Sequence, residues 1–368
     1  MSGGGPGTPP YAVVIPTLGR PSLGRVLAAL AAGEGPRPAR IVLVDDRPPH
    51  DPDPLPVAVP TALRELVEIL PGCGAGPAAA RNRGWRGAPE PWIAFLDDDV
   101  VPGETWAADL AADLAAADPD VAGVQGRIAV PMPTGRRPTD WERTTAGLAT
   151  ARWITADMAY RRIALAAVGG FDERFPRAFR EDADLALRML GAGWALAVGE
   201  RRTLHPVRPA GPWVSVRAQA GNADDVLMGR LHGPGWWARA QAPRGRLRRH
   251  AAVTAAGAAA LGALAARRWR GAAAFSALWL AGTAEFAAAR VRPGPRTASE
   301  TGRMVVTSAV IPAAAVAHWL AGQVRHRAAG PWPCPAGAAG PPPGPANPGG
   351  APGPSFDSDI TGNSVVHD

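Results

Sequence analysis

The chain predicts an α/β fold, with a mostly parallel central sheet flanked by helices, followed by a separate α-helical region. Three observations carry this expectation. Across residues 11–210, short apolar runs closed by polar residues alternate with stretches of helical spacing, as in a parallel sheet covered on both faces. Three of those runs end in Thr17, in Asp45-Asp46 and in Asp97-Asp98-Asp99, and ligands of open α/β sheets collect beyond the carboxyl ends of the strands. After residue 246 the pattern changes to uncharged, Ala-rich segments bordered by Arg, a pattern of membrane-associated helices.

The elements follow in order. Tyr11–Thr17 reads as a buried strand. Ser22 is placed to cap a helix over 23–32, where Leu23, Val26, Leu27 and Leu30 fall at helical spacing. Arg40–Asp46 reads as a second strand and Thr61–Leu70 as a helix. Gly72–Pro77 is a flexible loop opening a helix, Ala78–Trp85, that carries Arg81, Asn82 and Arg83. Trp92–Leu96 is a strand running straight into three carboxylates, which repel one another unless a cation sits among them. A helix over Thr105–Ala117, a strand pair or edge strand over Val121–Val130 and a strand over Ile154–Tyr160 come next, and Trp141–Trp153 carries no assignment. Arg161–Val168 reads as a helix ended by Gly169-Gly170, Phe171–Phe175 as a loop, and Ala183–Leu190 as a helix whose dipole favours acids at its start. Trp194–Val198 is the last apolar strand, and His205-Pro206 lies beyond it.

Composition narrows the classes. With 368 residues the chain can form one large core plus appendages. It contains Arg but no Lys, a bias that weakens any functional reading of its basic character. The excess charge is local: residues 247–330 hold 11 Arg against 2 acids, whereas 1–246 are close to neutral. Cys73 and Cys334 are the only cysteines, too few for a disulfide framework or a zinc site, and consistent with a reducing compartment. Residues 1–10 lack the charged and apolar regions of a cleaved secretory signal.

The motifs Val14-Ile15-Pro16-Thr17, Val42-Leu43-Val44-Asp45-Asp46, Gly76–Asn82 and Phe95–Asp99 stand in one order with Ala156–Ala159, Val168–Glu173 and Glu181–Leu185. Together they resemble family 2 glycosyltransferases of the GT-A fold, over roughly residues 11–210. The resemblance implies a nucleotide-diphosphate sugar donor, with Thr17 and Asp46 at its base and ribose, Asp45 beside them and Arg81 near the base or diphosphate. It also implies Mn²⁺ or Mg²⁺ held by Asp99, with Asp97 and Asp98 toward ribose or metal-bound water and His205 touching the metal or diphosphate. Asp182 matches the catalytic base of inverting members, with Glu181 and Gly170 on the acceptor side. Two departures stand out. Asp45-Asp46-Arg47-Pro48 replaces the usual Asp-Gly-Ser, and no Gln-x-x-Arg-Trp motif of processive synthases is present, which favours single addition.

The chemistry accounts for these groups. A sugar–diphosphate bond breaks while an acceptor hydroxyl attacks, so a cation suits the leaving group and a carboxylate suits the hydroxyl proton. Magnesium needs only one or two protein carboxylates.

The expected organisation is a flexible 1–10, a catalytic domain over 11–225, a linker over 226–246, Arg-flanked membrane-associated helices over 247–328 and a disordered Pro/Gly-rich tail over 329–368. The expected location is the cytoplasmic face of the cell membrane, with a glycan, lipid or small-molecule acceptor. Because the Arg residues bracket apolar stretches, lipid headgroups are expected rather than nucleic acid. Trp213, Trp236 and Trp237 read as packing anchors. The competing classes are a nucleotidyltransferase on a similar sheet, for which Leu18-Gly19-Arg20-Pro21 is only a faint phosphate loop, and a non-catalytic glycan- or lipid-surface-binding protein.

Overall fold

The computed structural model describes residues 9–48, 51, 53–72 and 74–332. Eight strands form one sheet: β1 (Tyr11–Thr17), β2 (Arg40–Asp45), β3 (Val67–Pro71), β4 (Trp92–Leu96), β5 (Val101–Pro102), β6 (Val121–Ala129), β7 (Asp157–Arg161) and β8 (Ala195–Leu204). Their spatial order is β3-β2-β1-β4-β7-β6-β8-β5. The half from β3 to β4 is parallel. β7 then runs antiparallel between β4 and β6, β8 lies parallel to β6, and β5 closes the edge antiparallel to β8. The sheet is thus mixed, with its parallel half carrying the strand ends singled out by the sequence.

Helices α1 (Ser22–Ala32), α2 (Pro77–Gly87), α3 (Trp106–Ala116), α4 (Asp140–Ala146), α5 (Arg162–Ala167) and α6 (Glu181–Gly191) cover the sheet. Alternation along the strands builds one core on each face. Val13, Ile15 and Leu43 point toward Leu27 of α1 and Trp106 of α3; Val14, Val44 and Phe95 point toward Trp85 of α2 and Leu185 of α6. Burial on both faces is why these strands read as unbroken apolar runs.

Several expectations are corrected. Ser22 does not cap α1: the N-cap is Pro21, the helix already includes Ser22, and the Ser22 hydroxyl has no hydrogen-bond partner. Thr61–Leu70 is not a helix. Only Thr61–Leu63 makes a single 3₁₀ turn, and Val67–Pro71 pairs with β2 as the sheet edge. Leu63, Leu66, Val67 and Leu70 mimic a helical period, but the open edge of β2 supplies ladder bonds, and an edge strand tolerates Pro71. β8 runs on to Leu204 because Arg201 and Thr203 turn inward onto the buried Asp157, at 2.7 and 2.6 Å.

The remaining helices are α7 (Val214–Arg217), α8 (Gly221–His232), α9 (Trp236–Arg239), α10 (Leu247–Ala265), α11 (Trp269–Val291) and α12 (Ala298–Arg325). Residues 226–246, expected to be a linker, hold most of α8 and all of α9. Leu227, Met228, Leu231 and Trp236 there build a third core with Phe175 and Leu187. α11 and α12 are long and apolar enough to cross a membrane, by length and composition. The expected flexible start and disordered tail lie outside the described residues, apart from 9–10 and 329–332.

Candidate active site

β4 ends at Leu96, and the three carboxylates that follow part company in the turn. Asp98 folds back onto the β1–α1 loop. Its Oδ2 accepts from the Thr17 hydroxyl at 2.8 Å and its Oδ1 from Arg20 at 2.9 Å. Thr17 and Asp98 are therefore buried against each other and tie β1 to β4. Asp97 and Asp99 point instead into a cavity of about 260 Å³, together with Arg81, Glu181, Asp182, His205 and Arg208.

Arg81, from the middle of α2, is the link inside this cavity. One guanidinium nitrogen donates to Asp97 Oδ1 and the other to Glu181 Oε1, both at 2.8 Å. The Arg is 1% exposed and Glu181 2%. Burial and the charge of Asp182 push the Glu181 carboxyl up to about 8, against the pull of Arg81.

Asp182 sits at the first turn of α6, whose N-cap, Arg180, has a left-handed φ of 77°. Non-glycine residues rarely adopt that conformation unless their surroundings enforce it. Here Arg180 donates to Asp225 of α8 at 2.9 Å and lies over the rings of Phe179, Trp236 and Trp237. Asp182 Oδ1 accepts from the Ala183 amide at 2.7 Å. Burial raises its carboxyl above the ordinary aspartate range, although that amide, Arg81 and Arg180 pull the other way.

The third group faces the turn from the end of β8. His205 Nε2 is 3.8 Å from Asp99 Oδ1, and Arg208 Nε is 2.8 Å from Asp99 Oδ2, a charge contact that is not aligned as a hydrogen bond. One ligand atom each from Asp97, Asp99 and His205 lie within 4.8 Å of one another. Two carboxylates and an imidazole suit Mn²⁺, and Mg²⁺ through the oxygens. Burial and the neighbouring Asp97 raise the Asp99 carboxyl, against His205 and Arg208. That crowding of acids is what a divalent cation would relieve, so the residues fit the ion.

The expected nucleotide side lies beyond the cavity. Asp45 is held by Arg47 at 2.9 and 2.7 Å, which keeps its carboxyl low. Asp46 is buried against the loop before α2, where its Oδ2 accepts from the Gly76 amide at 3.1 Å. Burial pushes it up, and its Oδ1 has no hydrogen-bond partner.

Residues 12–179 match the sequence model of the family described as Glycosyl transferase family 2. That segment carries the sequence pattern of family 2 glycosyltransferases. Over 132 residues the chain is 35% identical to the pre-mycofactocin glycosyltransferase of Mycobacterium tuberculosis, in strains CDC 1551 / Oshkosh and ATCC 25618 / H37Rv alike. The match covers 32% of this chain and 27% of those relatives, so it spans about a quarter of their length. The mannosyltransferase PcManGT from Pyrobaculum calidifontis, solved with GDP-Man and Mn²⁺, has the same fold at a TM-score of 0.51 and 19% identity. The likeness covers 86% of this chain and 88% of that one, and the fold is the GT-A fold implied by the motifs.

Across the catalytic sheet the motif residues divide into two groups. Arg81, Asp97, Asp99, Glu181, Asp182 and His205 converge on the cavity. Asn82 instead holds the loop after α5, donating to Phe171 O at 2.8 Å and accepting from the Phe171 amide and the Trp85 indole. Gly170 packs there too, outside the cavity lining. Its φ is 77°, and a Cβ would stand 2.4 Å from Asn82 Oδ1 and 2.8 Å from Trp85 Nε1. Gly170→Ala is therefore expected to cost about 1–3 kcal/mol of stability. A thermal melt equal to that of the parent would overturn this account of the loop.

Sequence reasoning missed Arg208, Trp141, Thr144 and Thr145, which line the same cavity. No spacing signal marks them. Arg208 is a lone cation in a Pro-flanked loop, and the α4 residues lie in the stretch without an assignment. Trp236 is a core residue, as expected of an anchor.

Proposed function

We propose that the chain is a metal-dependent, inverting glycosyltransferase at the cytoplasmic face of the membrane. It moves a sugar from a nucleotide-diphosphate donor to an acceptor hydroxyl, for glycan or glycolipid synthesis. The carrying observation is that Asp182 shares one cavity with Asp97, Asp99 and His205, where Arg81 bridges Asp97 to the neighbouring Glu181. A bound Mn²⁺ or Mg²⁺, held by those two aspartates and His205, supplies Lewis-acid stabilisation of the diphosphate.

The protein's own groups do the rest. Arg208 and Arg81 place positive charge beside the leaving group. Asp182 has Oδ1 on the Ala183 amide and Oδ2 left for the acceptor, and its raised affinity for protons suits a general base. Attack from the side opposite the diphosphate inverts the anomeric centre. The nucleotide lies toward Thr17, Asp45 and Asp46. The acceptor approaches along the groove of about 250 Å³ between α4, α7 and α11–α12, which shares Trp141 and Thr144 with the cavity.

The test is nucleotide release from UDP-, GDP- and dTDP-sugars with and without Mn²⁺, with product anomers read by NMR. Expected is Mn²⁺-dependent release of nucleoside diphosphate from one donor class, abolished in Asp99→Ala. No release from any donor would sink the reading, and pyrophosphate formation would replace it with nucleotidyl transfer.

A further inference from the structure

α12 is built inside out for a helix in water. Its polar side chains face the protein: Glu300 accepts from the Asp140 amide at 3.0 Å, Thr307 and Ser308 accept from Arg290 at 2.8 and 3.0 Å, and Gln323 accepts from Arg230 at 2.9 Å. Near its end the helix lies against α8, where a Cβ on Gly322 would stand 2.8 Å from the Ala223 Cα. The opposite face exposes Val305, Val306, Val310, Leu320 and Val324, and no charged residue occurs from Met304 to Val324. A surface helix of a soluble domain has the reverse arrangement, and an exposed apolar face of this length marks an interaction site.

α10 and α11 form an antiparallel hairpin, with Val253 on Gly282. α12 packs against its base, where Pro312 shares a cavity with His250 and Phe286, and Trp319 shares one with Leu247. Beyond that base the hairpin exposes Leu261, Leu264, Trp269, Leu278 and Leu280. Arg246 and Arg249 flank the base, and Arg267, Arg268 and Arg270 stand at the turn. Exposed apolar faces bordered by arginine match a bilayer with anionic headgroups rather than a second protein copy.

Length alone would let both α11 and α12 cross a membrane. Contacts separate them. Crossing would carry Glu300, Thr307 and Ser308 away from their partners on α4 and α11 and leave polar groups unpaired in hydrocarbon. We propose that α12 lies flat at the boundary between headgroups and acyl chains, strapped along the catalytic domain by its polar face, and that only the α10–α11 hairpin crosses the acyl layer, its turn placing Arg267, Arg268 and Arg270 among the headgroups of the far leaflet. This deepens the membrane association proposed above and does not depend on the transferase chemistry.

The test uses the full chain with Cys73 and Cys334 replaced by Ser, and a fluorophore on Val306→Cys, Ala313→Cys or Leu320→Cys. Those sites span roughly 21 Å along the helix at 1.5 Å per residue. Vesicles of phosphatidylglycerol and phosphatidylcholine carry doxyl quenchers at shallow or deep acyl positions. Equal, shallow quenching at all three sites is expected, with deep quenching at Leu278→Cys. Depth that changes steadily from site 306 to site 320 would mean that α12 crosses, and no quenching at any site would mean that a protein covers this face; either overturns the proposal. Leu320→Glu, on the outward face, is expected to weaken vesicle binding about tenfold or more with an unchanged melting temperature. Unchanged binding would also count against the proposal.

Discussion

An Asp182→Asn enzyme is expected to bind nucleotide as tightly as the parent and to turn over about 10²–10⁴-fold more slowly, the usual worth of a positioned base. The substitution keeps the shape of the side chain and the Ala183 contact on Oδ1 while removing the basic oxygen. The expected loss is therefore in kcat, with nucleotide affinity unmoved because Thr17, Asp45 and Asp46 lie outside the cavity lining. The pH profile supplies a second reading. Burial raises the Asp182 pKa, and a base works when deprotonated. The parent's rate should fall as pH drops through a value above the ordinary aspartate range, and that limb should vanish from the variant's residual rate. Parent-like turnover in Asp182→Asn would assign the base elsewhere.

The second large effect is on stability. Arg81→Met strips the cation from between Glu181 and Asp97, and removing one partner of a buried ion pair typically costs about 3–5 kcal/mol. Glu181 limits the loss, because a carboxyl held up at about 8 can take a proton. The double variant Arg81→Met/Glu181→Gln should recover part of the stability. A double variant no more stable than the single would refute the pairing. The same carboxyl sets a pH trend in the parent. Its folded pKa lies above the usual glutamate value of 4.5, so its contribution is fully present below 4.5 and is lost as pH rises to about 8. Denaturation of the parent over that window should show declining stability, and Glu181→Gln should flatten the slope.

Much of this was legible in the sequence because some positions have only one physical reading. β1, β2 and β4 are apolar on both faces, so their runs could only be central strands. Their polar ends then marked the expected ligand side of the sheet. Asp182 was readable as an acid at a helix start that the dipole favours. What stayed hidden depends on three-dimensional neighbours. The turn after Leu96 decides that Asp98 faces Thr17 while Asp97 and Asp99 face the cavity, and three identical letters cannot encode that. β3 was misread because the empty edge of β2, not local spacing, determines it. Arg208 needed the fold to bring β8 beside β4. The 226–246 stretch resembled a linker until Leu227, Met228 and Trp236 met Phe175.

The bridge from Arg290 to Asp140, 2.7 Å long, joins residues 150 positions apart. During synthesis, α4 leaves the ribosome long before its partner exists. At about 5–20 residues per second the wait is roughly 8–30 s. Through that interval the helix bearing Trp141 and Thr144 lacks its outer support, and the groove it lines stays unfinished. Completion of the groove is therefore timed to the emergence of α11, and under the membrane association proposed above a nascent chain would gain that groove only as it arrives at the membrane.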